Sequence, residues 1–216
     1  LRVKPGLSSA NILYVYLLAC SQLKYVLKAH HSHFTAEFEA LSLHCLNSMF
    51  SRSFETHIFG KNSKKLSQRY KGNILKRLEK LSTDLGGNLK LDVTDVPPQS
   101  TGDGGLDLVG WQNPWNDIRS NQLVLVGQSK CSPEWYDEVD ARTRLEQLIH
   151  LDNVALNFFF IPFHFRKPSN DWHQSQYSRS RFLIDRYRIL YVSKAKVFED
   201  FKSHSIVKTF LAQTQA

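Results

Sequence analysis

The stretch LVLVGQSKC, Leu123 to Cys131, constrains the fold more than any other part of the chain. Leu123 to Val126 form an unbroken apolar, β-branched-rich run that stops abruptly at Gly127, Gln128, Ser129 and Lys130. A run that short and continuous reads as a strand in the middle of a sheet, covered on both faces, so that no in-and-out alternation is left. Asn157 to Phe165, dense in Phe and β-branched residues, is a second interior strand. Between them Ser132 and Pro133 open a helix expected over 134–150, with Val139, Leu145, Leu148 and Ile149 on one face and Asp137, Glu138, Arg142 and Arg144 on the other.

Upstream, helical spacing dominates. Ile12, Leu13, Tyr16, Leu17, Leu23, Val26 and Leu27 make a broad stripe that predicts a buried helix over 9–29. Phe38, Leu41, Cys45, Leu46 and Met49 predict a second over 35–50, with Thr35 as N-cap and Glu37 and Glu39 in its first turns. A basic, polar stretch follows, with a short helix over 71–81 ended by Gly86 and Gly87. The period then shifts toward two at Leu89, Leu91 and Val93, a Gly/Pro-rich loop intervenes, and Leu106 to Trp111 reads as the next strand. Beyond a cation-rich loop, Tyr187 to Val192 reads as a strand and Val197 to Ala212 as a closing helix. The expected class is α/β with a mixed sheet: helices, then β, β, β, α, β, then β and α.

Composition narrows the setting. With 216 residues, 42% of them hydrophobic, the chain supports one main domain. Twenty-eight Lys and Arg against 20 Asp and Glu give a formal charge of +8, which favours a polyanionic partner. Cys20, Cys45 and Cys131 are odd in number and lack a CxxC pair, so a disulfide framework and a thiolate zinc site are both disfavoured and a reducing, cytoplasmic location is expected. The apolar run Ile12 to Ala19 is too short to span a bilayer, and no membrane association is expected. The chain starts with Leu, as a fragment or one domain of a larger protein would.

The chemistry concentrates on two neighbouring strands. Asp107 lies in GDGGLDLVGW, and Gln128 with Lys130 closes LVLVGQSK. A pair spaced i and i+2 projects to one side of a sheet, so an acid on the adjacent strand can meet both members. Oxygen ligands for a hard cation, with an ammonium beside them, are what metal-assisted phosphodiester hydrolysis needs.

A glutamate-bearing helix, then GDGGLDLVG, then a hydrophobic strand ending in QSK, then a helix and a strand: this order resembles the PD-(D/E)xK, or restriction-endonuclease-like, nucleases. The nearest likeness is to the Mrr-type branch, in which G-x-D-G-G-I-D precedes Q-x-K. The resemblance covers residues 34–165, leaving 1–33 as a helical extension and 166–216 as a basic loop, strand and helix packed on an αβββαβ core. It implies an endonuclease acting on DNA in restriction or anti-phage defence, using Mg²⁺ or Mn²⁺. It also implies roles: Asp107 as metal carboxylate, Gln128 in the place usually held by Asp or Glu, the Ser129 backbone carbonyl as a further ligand, Lys130 beside the attacking water, and Glu39 as the helix carboxylate, with Glu37 competing. The chain departs from the pattern in having no Pro before Asp107, and Gln128 removes one negative charge from the metal site. Cutting both strands commonly takes two active sites, so a homodimer is expected.

Plainer readings stand beside these. Asp107 at a hairpin edge and Lys130 reaching from a strand end are common structural features. Asp103, Gly102, Gly104 and Gly105 suit a tight turn as well as a phosphate contact. Trp111 and Trp115 serve for base stacking or for core packing. Arg166, Lys167, Arg179, Arg181, Arg186 and Arg188 either track a nucleic-acid backbone or are solvated charge. His30, His31 and His33 read as a polar connection between helices, and Cys131 sits in no nucleophile motif. A catalytically silent nuclease-like domain that binds nucleic acid or a partner protein is the competing function.

Overall fold

The structure is a computed structural model in which residues 8–50, 54–60, 69–90, 104–112 and 122–193 are described. Its centre is a five-stranded mixed sheet of order β1-β3-β4-β6-β7. The strands are β1 (Phe54–Ile58), β3 (Leu108–Gln112), β4 (Leu123–Ser129), β6 (Leu156–Phe160) and β7 (Phe182–Ile184). β3 runs antiparallel to both β1 and β4, whereas β4, β6 and β7 are mutually parallel. A small second sheet pairs β2 (Asn88–Leu89) with β5 (Ile149–His150). The helices are α1 (Ser9–Cys20), α2 (His31–Met49), α3 (Ile74–Asp84), α4 (Ala141–Leu148) and α5 (Arg186–Val192).

Alternation along the central strands sorts the core into two layers. Leu108, Leu125, Phe158 and Phe160 face α1, α2 and α5, where Leu13, Tyr16, Leu17, Phe34, Phe38 and Leu41 complete one cluster. Val109, Trp111, Val124 and Val126 face α3 and α4, joined by Leu78, Leu81 and Leu145. The first layer draws on α1, α2, the sheet and α5 alike, so the amino-terminal helix and the carboxyl-terminal strand–helix pair share one core with the residues between them. No helix among the described residues is long and apolar enough to cross a membrane.

Several expectations change. The strand predicted at Leu89 is only the two-residue β2 of the small sheet; Leu91 and Val93 lie outside the described residues. The first strand of the main sheet is instead β1, inside the stretch read as polar, where Phe54, Thr56 and Ile58 alternate with Glu55 and His57. The helix expected over 134–150 is shorter: a 3₁₀ turn at Trp135–Asp137 precedes α4, because the Trp135 indole is buried with Phe159, Ile161 and Leu183 in a third cluster. Val139, assigned to the apolar face, is 41% exposed. Tyr187 to Val192 is helix α5 and not a strand, since the Asp185 carboxylate accepts from the Arg188 N–H at 3.1 Å and caps its first turn. The first helix stops at Cys20, and the second is capped at His30, upstream of Thr35. The closing helix predicted over 197–212 lies outside the described residues.

Candidate active site

Asp107 sits one residue before β3, yet its main chain is locked into the sheet. Its N–H donates to Gly127 C=O at 3.1 Å, and its own C=O accepts from Phe59 and Gly60 N–H at 2.8 and 3.2 Å. Carboxylate Oδ2 accepts from the Ser129 N–H at 2.8 Å, tying the acid on β3 to the end of β4. The GG turn leading in takes φ of +57° and +78° at Gly104 and Gly105, values that L side chains rarely adopt, so turn geometry accounts for both glycines.

Glu39 arrives from α2. A β-carbon built on Gly60 would stand 3.5 Å from Asp107 Oδ1 and 3.5 Å from Glu39 Oε2, so both carboxylates border the space that a side chain at position 60 would fill. Glu39, Asp107, Ser129 and Lys130 all line one cavity of about 580 Å³ beyond the carboxyl end of β4, walled also by Thr35 and Phe163. Glu37 does not line it; its negative charge instead acts on the Tyr16 hydroxyl. Of the two candidate helix carboxylates, Glu39 is therefore the one the fold brings to Asp107.

Lys130 is held by its N–H, which donates to Phe160 C=O at 3.0 Å, while its ammonium pairs with Glu138 Oε1 at 3.5 Å. Both partners are partly solvated, and such pairs contribute about 0.2–1 kcal/mol, so releasing Lys130 costs little. Gln128 behaves differently. Its side chain is not in the cavity lining: Nε2 donates to Gly105 C=O at 3.1 Å and the residue is 2% exposed. Oε1, the atom able to bind a cation, is buried without a hydrogen-bond partner, as is Ser129 Oγ. The structure thus gathers Glu39, Asp107, Ser129 and Lys130, and leaves Gln128 one step back.

Cys131 borders the same cavity. Contact with the Cys20 thiol, burial, and the negative charges of Glu39 and Asp107 push its pKa up, so it stays a protonated thiol and a poor nucleophile.

Comparisons with protein families, curated proteins and solved structures gave no match. The donor chemistry of the site itself must carry the argument. Among the described residues no three His, Cys, Asp or Glu side chains group as a metal site. Two facing carboxylates with adjacent carbonyl oxygen are nonetheless a fitting donor set for Mg²⁺, which binds through one or two carboxylates and keeps several waters.

The residues considered for nucleic-acid contact separate clearly. Asp103 and Trp115 lie outside the described residues. Trp111 is corrected to a core residue: it is 4% exposed, with Arg69 5.0 Å from its ring centroid and His57 at 5.3 Å, so its faces are taken. Arg166 is likewise structural, paired with Asp185 at 3.0 Å and set against the rings of Trp172 and Tyr187. Lys167 and Arg179 are exposed, and Arg181 is largely buried against Asp140 at 2.7 Å. His31 holds the carbonyl of Val26 at 2.9 Å, in keeping with a helix connection. Gly60 and Glu138 escaped the sequence reading. The first lies in a stretch read only as basic, the second on a helix face read as solvated.

Proposed function

We propose that the chain is a metal-dependent nuclease of the restriction-endonuclease-like kind, hydrolysing phosphodiester bonds in DNA. The order α2, β1, β3, β4, α4, β6 supports this reading, because it supplies helix, three antiparallel strands, helix and parallel strand as in an αβββαβ core, with α3 and β2 inserted between β1 and β3 and the two-residue β5 between α4 and β6. The observation that carries it is the meeting of Glu39, Asp107 and Lys130, from three separate elements, on one cavity. Asp107 Oδ1 and Glu39 would hold Mg²⁺ or Mn²⁺, with the Ser129 carbonyl as a neighbouring donor. The cation, when bound, supplies Lewis-acid activation of water and neutralises charge on the phosphate. Lys130, exchanging Glu138 for substrate, orients the attacking water and offsets the negative charge that grows on phosphate. Asp107 Oδ2 stays on the Ser129 N–H and fixes the carboxylate plane. A role in restriction or phage defence, a cytoplasmic location and a homodimer acting on both strands belong to the same proposal.

The position of Gln128 favours a second reading, a silent nuclease-like domain that binds nucleic acid or a partner protein, since its Nε2 is held by Gly105 C=O and its side chain does not line the cavity. Cleavage of supercoiled plasmid, linear duplex, single-stranded DNA and RNA with Mg²⁺ or Mn²⁺ separates the two. Metal-dependent cutting that falls by about 10²-fold or more in Lys130→Ala and in Asp107→Asn, both folded, is the expected result. Absence of cutting on every substrate favours the silent domain.

A further inference from the structure

A second cavity, of about 450 Å³, opens at the amino ends of β6 and β7, far from the carboxylates. Five residues of β6 separate the two ends of the sheet, about 15 Å at strand rise. Its volume falls within the roughly 300–1,000 Å³ of small-molecule sites. Four arginines line it, Arg142, Arg179, Arg181 and Arg188, and no carboxylate does.

Among the described residues, two of these four arginines carry an ion pair and two do not. Arg181 spends Nη2 on Asp140 at 2.7 Å, is 8% exposed at its side chain, and keeps Nε and Nη1 buried without an acceptor. Its guanidinium lies 4.7 Å from the Phe159 ring centroid, which fixes its position. Arg142 has only a long 3.7 Å pairing with Glu146. Neither Arg179 nor Arg188 makes an ion pair among the described residues, although Arg188 Nη1 donates to Leu183 C=O at 2.8 Å and its guanidinium lies 4.7 Å from the Trp172 ring centroid. Burial disfavours the charged form of both Arg181 and Arg188, and Arg166 adds repulsion at Arg188, while the Asp140 and Asp185 carboxylates offset part of this at Arg181 and Arg188 respectively. Such a cluster is costly unless an anion enters it. Guanidinium forks match phosphate oxygens two at a time, and four of them exceed what a single carboxylate can use. On the rim, Phe182 is 51% exposed and stacked on Phe158, presenting an aromatic face beside the cations.

We propose that this cavity binds a phosphomonoester dianion attached to a nucleoside, supplied by a free mononucleotide or by the terminal phosphate of an oligonucleotide. The proposal holds whether or not the carboxylate cavity cuts DNA.

Calorimetric titration tests it with adenosine 5′-monophosphate, adenosine, and short single-stranded oligonucleotides carrying a 5′-phosphate or a 5′-hydroxyl. Adenosine 5′-monophosphate or the phosphorylated oligonucleotide should bind and its unphosphorylated counterpart should not, and whichever binds identifies the source. Affinity should fall about tenfold or more in Arg179→Glu, an exposed position, and in Arg181→Lys, which keeps the charge and loses the fork. It should be unchanged in Asp107→Asn, which places binding away from the carboxylates. Three results overturn the proposal: no binding of any phosphorylated probe, equal binding of phosphorylated and unphosphorylated oligonucleotides, or affinity indifferent to both arginine substitutions.

Discussion

Gly60→Ala is the perturbation that separates fold from chemistry most cleanly. The added β-carbon would meet Asp107 Cα at 3.4 Å and the two carboxylate oxygens at 3.5 Å each, all ordinary van der Waals separations, so nothing in the folded chain must move. Gly60 does not occupy the left-handed region, and replacing such a glycine restricts the unfolded chain, which stabilises by about 0.4–1 kcal/mol. For a chain of this size that corresponds to a thermal midpoint raised by about 1–4 °C. The same methyl group comes within 3.5 Å of both Asp107 Oδ1 and Glu39 Oε2, the oxygens that would hold a cation under the proposed function. A displacement of about 1 Å at a reacting centre can cost on the order of 10²-fold in rate. The expected result is therefore a protein at least as stable as the wild type whose cleavage rate drops by about that factor and whose Mg²⁺ requirement rises. Paired melting curves and plasmid-nicking time courses across a Mg²⁺ series read both quantities. Unchanged rate and metal dependence would refute the claim that the gap over Gly60 is the cation's place.

Two further outcomes follow from the same geometry. Gly110→Ala, by contrast, puts a β-carbon 2.8 Å from the Glu55 carbonyl and 3.0 Å from Leu125 Cδ1 in the middle of the sheet, so denaturant unfolding should show a loss of about 1–3 kcal/mol; a variant as stable as wild type contradicts the register of β1 on β3. Asp84 accepts from Arg69 Nε and Nη2 and from Lys80, each at 2.8 Å, and from Tyr70 at 3.0 Å. Burial alone would raise its carboxyl pKa, but the hydrogen bonds from Arg69 and Lys80 outweigh that and hold it below the usual value. Stability from a depressed carboxylate is complete above the unfolded value near about 3.9 and is lost as pH falls through the folded one. Asp84→Asn should accordingly melt lower at neutral pH, with the gap to wild type closing below about pH 4, whereas a gap constant with pH rules this linkage out.

What was legible in the chain follows from how each element gets its stability. β4 and β6 are buried on both faces, so their sequences are continuous apolar runs legible as strands, although β6 ends at Phe160 and not at the expected Phe165. α2 carries its core positions at helical spacing and was read within a few residues. β1 escaped because five residues with one fully buried side chain leave only a faint alternation inside a cationic stretch. α5 misled because Tyr187, Ile189, Leu190 and Tyr191 have the composition of a strand, and the decision falls to the Asp185 cap and to Ile189 alone reaching full burial. At the site, Asp107 and Lys130 do line one cavity, but strand alternation places Gln128 beside Lys130, whereas Ser129 lines the cavity and Gln128 does not. Alternation gave no means of knowing that the Gln128 amide would turn to Gly105, because that turn depends on where the two left-handed glycines aim their carbonyls.

The formal charge of +8 illustrates why a basic composition is a poor guide to a binding surface. Many of the arginines are consumed by the fold itself. Arg69 is spent on Asp84, Arg77 donates to Gly60 C=O at 3.2 Å against the Phe59 ring, Arg166 is spent on Asp185, and Arg186 joins Pro162 C=O to Ser21 Oγ. Guanidinium suits these tasks because its planar fork satisfies carbonyls and carboxylates while its faces pack on aromatic rings. Subtracting them leaves positive charge concentrated at the amino ends of β6 and β7, where Asp140, Glu146 and the Leu183 carbonyl engage only part of it. The two ends of the parallel strands thus carry opposite chemistries, carboxylates at one and guanidinium groups at the other, and an anionic substrate that reached the first would need a cation as intermediary while one that reached the second would not.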